Sequence, residues 1–142
     1  MPKYTPPLRD MKFVLHEMLN VERELKLIPQ HADIDAATID TVLEEGGKFC
    51  SEVLQPLNAV GDREGCKLNA DGSVTTPTGF KEAYKQFIEA GWPSLGADPA
   101  FGGQGLPHVV HSAFLEMMNS ANQAWAMYPG LSHGAYNALH AF

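Results

Sequence analysis

An all-α domain of about five or six helices is the fold this chain predicts, and three observations predict it. Apolar residues recur every three or four positions from Ile39 to Leu57, which is the spacing of one helix face. A second run, from Val110 to Trp125, is apolar over a wider arc, as a central helix is. No alternating apolar–polar stretch long enough for a sheet accompanies them.

The elements follow in order. Pro6 and Pro7 resist helix, so the first helical spacing starts near Leu8 and runs through Met11, Leu15, Met18 and Leu19. Leu25, Leu27 and Ile28 suggest a short second turn, closed by Pro29. Asp35 is placed to cap the next helix, whose stripe is Ile39, Val42, Leu43, Gly46, Phe49, Cys50, Val53, Leu54 and Leu57. Pro56 should bend or shorten it, and Gly61-Asp62-Arg63-Glu64-Gly65 should end it. Asn69-Ala70-Asp71-Gly72 is a turn signal between Lys67-Leu68 and Ser73-Val74-Thr75-Thr76, so a small hairpin-like excursion is expected near 66–76. Thr78 can cap a helix that turns Phe80, Ala83, Tyr84, Phe87 and Ile88 inward and stops at Gly91. Pro107 suits the first position of the wide-arc helix, and Pro129-Gly130 should break it. A last helix is expected from Ser132, with Ala135, Leu139 and Phe142 in period. No cap or stop follows Phe142, so the chain reads as one piece of a longer polypeptide.

Composition excludes some functions. The 142 residues suit one domain, and 44% apolar content is enough for a core. A formal net charge of −7 argues against a nucleic-acid partner, which needs clustered Lys and Arg. No run of ~18 apolar residues predicts a membrane span. The opening from Met1 to Pro7 lacks the apolar core of a signal peptide, and the cytoplasm is the expected compartment. Cys50 falls on an apolar face, where a buried thiol is expected; a disulfide to Cys66 is not.

Several motifs invite chemistry. Gly130-Leu131-Ser132-His133-Gly134 matches the G-x-S-x-G nucleophile pattern. That elbow needs a strand before it, and a helix precedes it here. Ser132 is better read as a helix cap. His108 and His111 can share a helix face, but a metal needs further ligands; Glu116 is out of step with both, and His133 and His140 belong to another helix. No metal site is expected, and these histidines are expected to be solvated or at an interface. Gly102-Gly103-Gln104-Gly105 lacks the Lys-Ser/Thr of a phosphate loop and the G-x-G-x-x-G order of a dinucleotide fold. A tight backbone path between packed helices is the preferred reading. Glu116, between Phe114, Leu115, Met117 and Met118, is either an acid–base group of raised pKa or is satisfied by Ser112, Asn119 or Ser120; the structural role is preferred.

The stretch from Gly91-Trp92 through Asp98-Pro99-Ala100-Phe101-Gly102-Gly103-Gln104-Gly105-Leu106 resembles the Gly-Trp … Asp-Pro-x-(aromatic)-Gly-Gly-x-Gly-Leu loop of the acyl-CoA dehydrogenases. Four other stretches are similar to a long-form subgroup that includes 3-methylmercaptopropionyl-CoA dehydrogenases: Tyr4 to Leu19, Val53 to Asn58, Gly61 to Cys66, and Met127 to Ala135. The resemblance covers nearly the whole chain. It implies an N-terminal extension at 1–34 and an N-terminal-type helical domain at 35–142. The parent enzyme would continue into a β domain and a C-terminal bundle that bind FAD and supply the Glu that takes the α-proton. It implies no catalytic and no cofactor-binding residue in this chain, and an inactive, FAD-free fragment. By position, Trp125, Ala126, Tyr128, Pro129 and Gly130 would form part of the acyl wall. The implied partners are an acyl-CoA substrate, the two later domains and further copies of the intact enzyme. A stand-alone, non-catalytic helical interaction module is the alternative. Removed from later domains, the chain should leave several of Trp125, Tyr128, Leu139 and Phe142 poorly covered, and should self-associate.

Overall fold

The computed structural model describes residues 3–142. Its helices are α1 (Leu8–Lys12), α2 (Val21–Leu25), α3 (Ala36–Lys48), α4 (Gln55–Glu64), α5 (Phe80–Glu89) and α6 (His108–Ala141). A two-stranded sheet, β1 (Lys67–Leu68) and β2 (Val74–Thr75), lies between α4 and α5. The chain is all-α apart from that hairpin. Among the described residues no helix is long and apolar enough to cross a membrane.

α1 widens into a π turn over Phe13–Met18 and ends at Asn20, whose φ is +50°. Met11 and Leu15 are buried as their spacing predicts, but Met18 and Leu19 are exposed. The left-handed turn at Asn20 redirects the chain, and Val21 and Leu25 of α2 take the inward places instead. Lys12 reaches both Asp40 (3.1 Å) and Glu44 (2.6 Å), which ties the opening segment to α3.

Asp35 caps α3: its Oδ1 accepts the Thr38 N–H at 2.8 Å. Ile39, Leu43, Phe49, Cys50 and Leu54 are buried along the predicted stripe. Pro56 neither ends nor isolates this helix. A π turn over Phe49–Leu54 joins α3 to α4, and the wider turn makes room for a residue that has no N–H and a bulky ring. Gly46 permits close helix contact, because a β-carbon there would lie 2.7 Å from the Phe114 ring.

The hairpin pairs Lys67 with Thr75 and Leu68 with Val74, antiparallel, around Gly72 at φ +82°. It stands outside the core. Thr78 does not cap α5. Gly79, at φ +85°, occupies the cap position, and the Thr78 N–H donates to Glu64 Oε2 at 2.8 Å. That bond draws the start of α5 to the end of α4.

α6 corrects the predicted break. Helix continues through Pro129, and the interruption is at Asn122, whose backbone is extended (φ −162°, ψ 84°). Two arms result, 108–121 and 123–141. They fold back on each other, so that His111 and His133 come within 4.2 Å, ring centroid to centroid. Asn122 is buried and holds the corner with both ends of its amide. Its Nδ2 donates to the Leu54 carbonyl (3.1 Å) and its Oδ1 accepts the Trp125 N–H (3.1 Å). The second bond is an N-cap for the second arm. The core closes around Trp125, fully buried, with Phe87 edge-on at 5.3 Å and Phe49 at 6.0 Å.

Candidate functional site

An open cleft of about 380 Å³ lies between α5 and the second arm of α6, lined by Thr76, Phe80, Lys81, Tyr84, Trp125, Tyr128 and Ser132. The periodicity of α5 makes one wall. Phe80 and Tyr84 are one turn apart, so their rings lie one above the other, and Lys81 beside them is exposed at the mouth. The second arm makes the facing wall. Trp125 is held at its base by the bond from its indole Nε1 to the Phe80 carbonyl (3.1 Å). Tyr128 meets the Phe80 ring edge-on at 6.5 Å, and its hydroxyl lies 3.6 Å from the Cys66 sulfur. That contact with Cys66, then burial, raises the Tyr128 phenol above its ordinary pKa, so it stays a neutral hydrogen-bonding group. The lining is aromatic with few polar groups, the character of a site for an apolar ligand. It contains no carboxylate, so it offers no general base of that kind.

Of the five residues expected at an acyl wall, Trp125 and Tyr128 line this cleft. Ala126 and Pro129 are buried, Gly130 is exposed, and none of the three lines the cleft. Phe80, Lys81, Tyr84, Thr76 and Ser132 were not foreseen there. The pair Phe80 and Tyr84 was legible as an inward face of α5; that this face opens onto Tyr128 was not. Ser132 corrects one expectation, the helix cap, while the rejection of the nucleophile elbow stands. It sits within the second arm, so it neither caps a last helix nor stands on a nucleophile elbow.

The glycine loop uses its backbone donors internally. The N–H groups of Gly103, Gln104, Gly105 and Leu106 donate to the carbonyls of Asp98, Ser94, Ala97 and Leu95 at 2.9–3.0 Å. A β-carbon at Gly103 would collide with the Ala97 carbonyl. These donors are not free to cradle a phosphate, and the structural reading of the loop stands. The loop is also pinned to the second arm: the Asp98 N–H donates to the Tyr136 hydroxyl at 2.8 Å, and His140 lies 3.3 Å from the Asp98 carboxylate. Glu116 faces solvent, not a buried environment.

The histidines differ from expectation. His111 is buried, at 8% exposure, and His133 comes across from the second arm to stack on it. His108, His111 and His133 thus converge, with one ring nitrogen of each within 4.8 Å of the others. The third partner that spacing along one helix could not supply comes from the hairpin at Asn122. Burial, then the neighbouring His133 and His108, pushes the His111 pKa down to about 4. Burial and His108 lower that of His133. Cys50 and Cys66 are free thiols; burial pushes Cys50 up to about 12, which makes it inert at neutral pH.

No family model matches this chain. It is 39% identical over 136 residues to 3-methylmercaptopropionyl-CoA dehydrogenase of Ruegeria pomeroyi, a match that covers 96% of this chain and 23% of that protein. It is 32% identical over 138 residues to butyryl-CoA dehydrogenase of Syntrophomonas wolfei, covering 96% of this chain and 22% of the relative. A broad-specificity linear acyl-CoA dehydrogenase of Mycobacterium tuberculosis is 32% identical over 131 residues, covering 92% and 21%. The homologues of this chain are acyl-CoA dehydrogenases. The chain spans about a fifth of the length of these curated relatives.

Proposed function

From its homology to acyl-CoA dehydrogenases, we propose that this chain is the N-terminal helical part of a flavin-dependent acyl-CoA dehydrogenase and contributes one wall of its acyl site. Residues 35–142 form the helical domain and residues 1–34 an extension, which Lys12 ties to α3. The single observation that carries the acyl assignment is the cleft between α5 and the second arm. It has the volume of a small-ligand site, and it is bordered by Trp125 and Tyr128, two of the five residues that the family resemblance points to. Ala126, Pro129 and Gly130 shape the arm that carries them.

In this reading the wall binds and orients. Phe80, Tyr84 and Trp125 shield an apolar chain from water. Tyr128, neutral and hydrogen-bonding, bounds its path. The flavin and the base that together oxidise a thioester between its α and β carbons belong to other domains. The cleft is lined mainly by aromatic side chains, and no residue of this chain resembles the family's flavin site. The chain alone is therefore inactive and binds no FAD; the parent enzyme is a cytoplasmic oligomer that takes an acyl-CoA.

The exposed apolar side chains of the second arm also suit a stand-alone interaction module, the rival reading. Reading the gene beyond Phe142 separates the two. A frame that continues into a β domain supports the enzyme, and a stop codon supports the module. In the complete polypeptide, Tyr128→Ala should raise KM for acyl-CoA or change its chain-length preference while flavin content stays the same. Unchanged kinetics across acyl-CoA lengths would remove Tyr128 from the wall. A yellow, flavin-absorbing preparation of the 142-residue chain would overturn the division of labour.

A further inference from the structure

His108 and His111 stand one turn apart on the first arm of α6, and His133 faces them from the second. Two of their ring nitrogens, Nδ1 of His111 and Nε2 of His133, are buried with no hydrogen-bond partner. A buried polar atom left unsatisfied is destabilising and calls for a partner. We propose that these three imidazoles bind one first-row transition-metal dication of the zinc class, and that the ion ties the two arms of α6 together.

The donor set selects the class. Imidazole nitrogens suit zinc, copper and nickel, whereas magnesium and calcium need oxygen ligands, and the cluster contains none. The protonation state is right for ligation. His111, with a pKa near 4, and His133, lowered by burial, are both neutral at pH 7 and hold free lone pairs. The spacing is close to what an ion imposes. Ligands about 2.1 Å from a tetrahedral centre lie about 3.4 Å from one another, and the nitrogens here already lie within 4.8 Å. Ring rotation closes that gap, and it unstacks His111 from His133, whose planes are now 28° apart. Access is open through His108, which is exposed and borders a cavity of about 570 Å³ beneath the glycine loop. Three protein ligands leave a fourth position for water. The alternative is that three rings merely pack together; it predicts no ion affinity.

The test uses the 142-residue chain without a histidine tag, stripped with EDTA. Zn(II) is titrated by calorimetry, and Co(II) by its visible absorption. The expected result is one ion per chain at micromolar affinity or tighter, and a thermal midpoint raised by roughly 5–10 °C at hundredfold saturation. His108→Gln and His133→Gln, one exposed and one partly exposed, should each weaken binding at least tenfold while the circular dichroism stays helical. His16→Gln, whose ring pairs with Asp40 instead, should leave it unchanged. No binding, weak binding at several sites, or binding that survives His133→Gln would overturn the proposal. None of these outcomes bears on the acyl wall, because the cleft contains none of the three histidines.

Discussion

The two arms of α6 are consecutive in sequence and packed together, yet they do different work. The first arm buries Val110, Phe114, Met117, Met118 and Ala121, one continuous face of the core. The second buries Trp125, Ala126 and Pro129 near the corner and then emerges. Met127 is 62% exposed, Leu131 76% and Leu139 83%. Stability is concentrated in the first arm and the first turns of the second. The outer half of the second arm carries surface that this chain does not cover, together with the groups that pin the glycine loop. A helix can therefore be core at one end and contact surface at the other, with a single buried residue marking the change. Of the four side chains expected to be poorly covered, Tyr128, Leu139 and Phe142 are exposed, but Trp125 is fully buried. It belongs to the corner, where Tyr84 and Phe87 of α5 and Phe49 of the π turn pack against it.

The largest effect should come from that corner. Trp125→Ala removes a buried aromatic and its bond to the Phe80 carbonyl, and should cost about 4 kcal/mol in urea unfolding. A loss below about 1 kcal/mol would mean that the corner is not part of the core.

The seam between the arms should respond to pH. Folded His111 titrates near 4 against 6.5 for the ordinary group. Between these values the unfolded chain binds more protons, so this contribution is complete above about pH 6.5 and is lost as the pH falls toward 4. In EDTA, stability should drop by up to about 3 kcal/mol over that range from this group alone. His111→Leu should flatten the slope; an unchanged slope would place the pH dependence in the carboxylates.

Asn122→Ala removes the cap on the second arm and leaves the Leu54 carbonyl without its donor. About 2 kcal/mol should be lost, and amide exchange should rise more in the second arm than in the first. Equal change in both arms would break the distinction drawn between them.

The smallest effect belongs to the outer half. Leu131→Ser and Leu139→Ser should change stability by no more than about 0.5 kcal/mol, since both side chains are exposed. They should reduce self-association in sedimentation. A large loss of stability would show that this surface is covered within the chain.

Much of this was legible in the sequence. Helical period placed Ile39, Leu43, Cys50 and Leu54 on one buried face and Phe114, Met117 and Ala121 on another. The Asp35 cap, the turn at Gly72 and the stop at Gly91 are local devices, and each acts through backbone geometry within a few residues. The candidate site was half legible. Trp125 and Tyr128 were named from a resemblance, whereas Phe80 and Tyr84 were known only as an inward face.

Short-range chemistry decides helix spacing, caps, turns and the apolar faces that must be buried, and all of these can be read along the chain. The corner at Asn122 was decided elsewhere. Locally, Pro129-Gly130 is the stronger breaker, and Asn122 is an ordinary polar residue. Its amide becomes a corner only because the Leu54 carbonyl, 68 positions away, arrives beside it when α3 and α4 pack on α6. Pro129 stays helical because tertiary packing encloses its ring and outweighs the missing backbone bond. The meeting of His108, His111 and His133, and the opening of the α5 face onto Tyr128, follow from that same fold-back, which no spacing along one helix encodes.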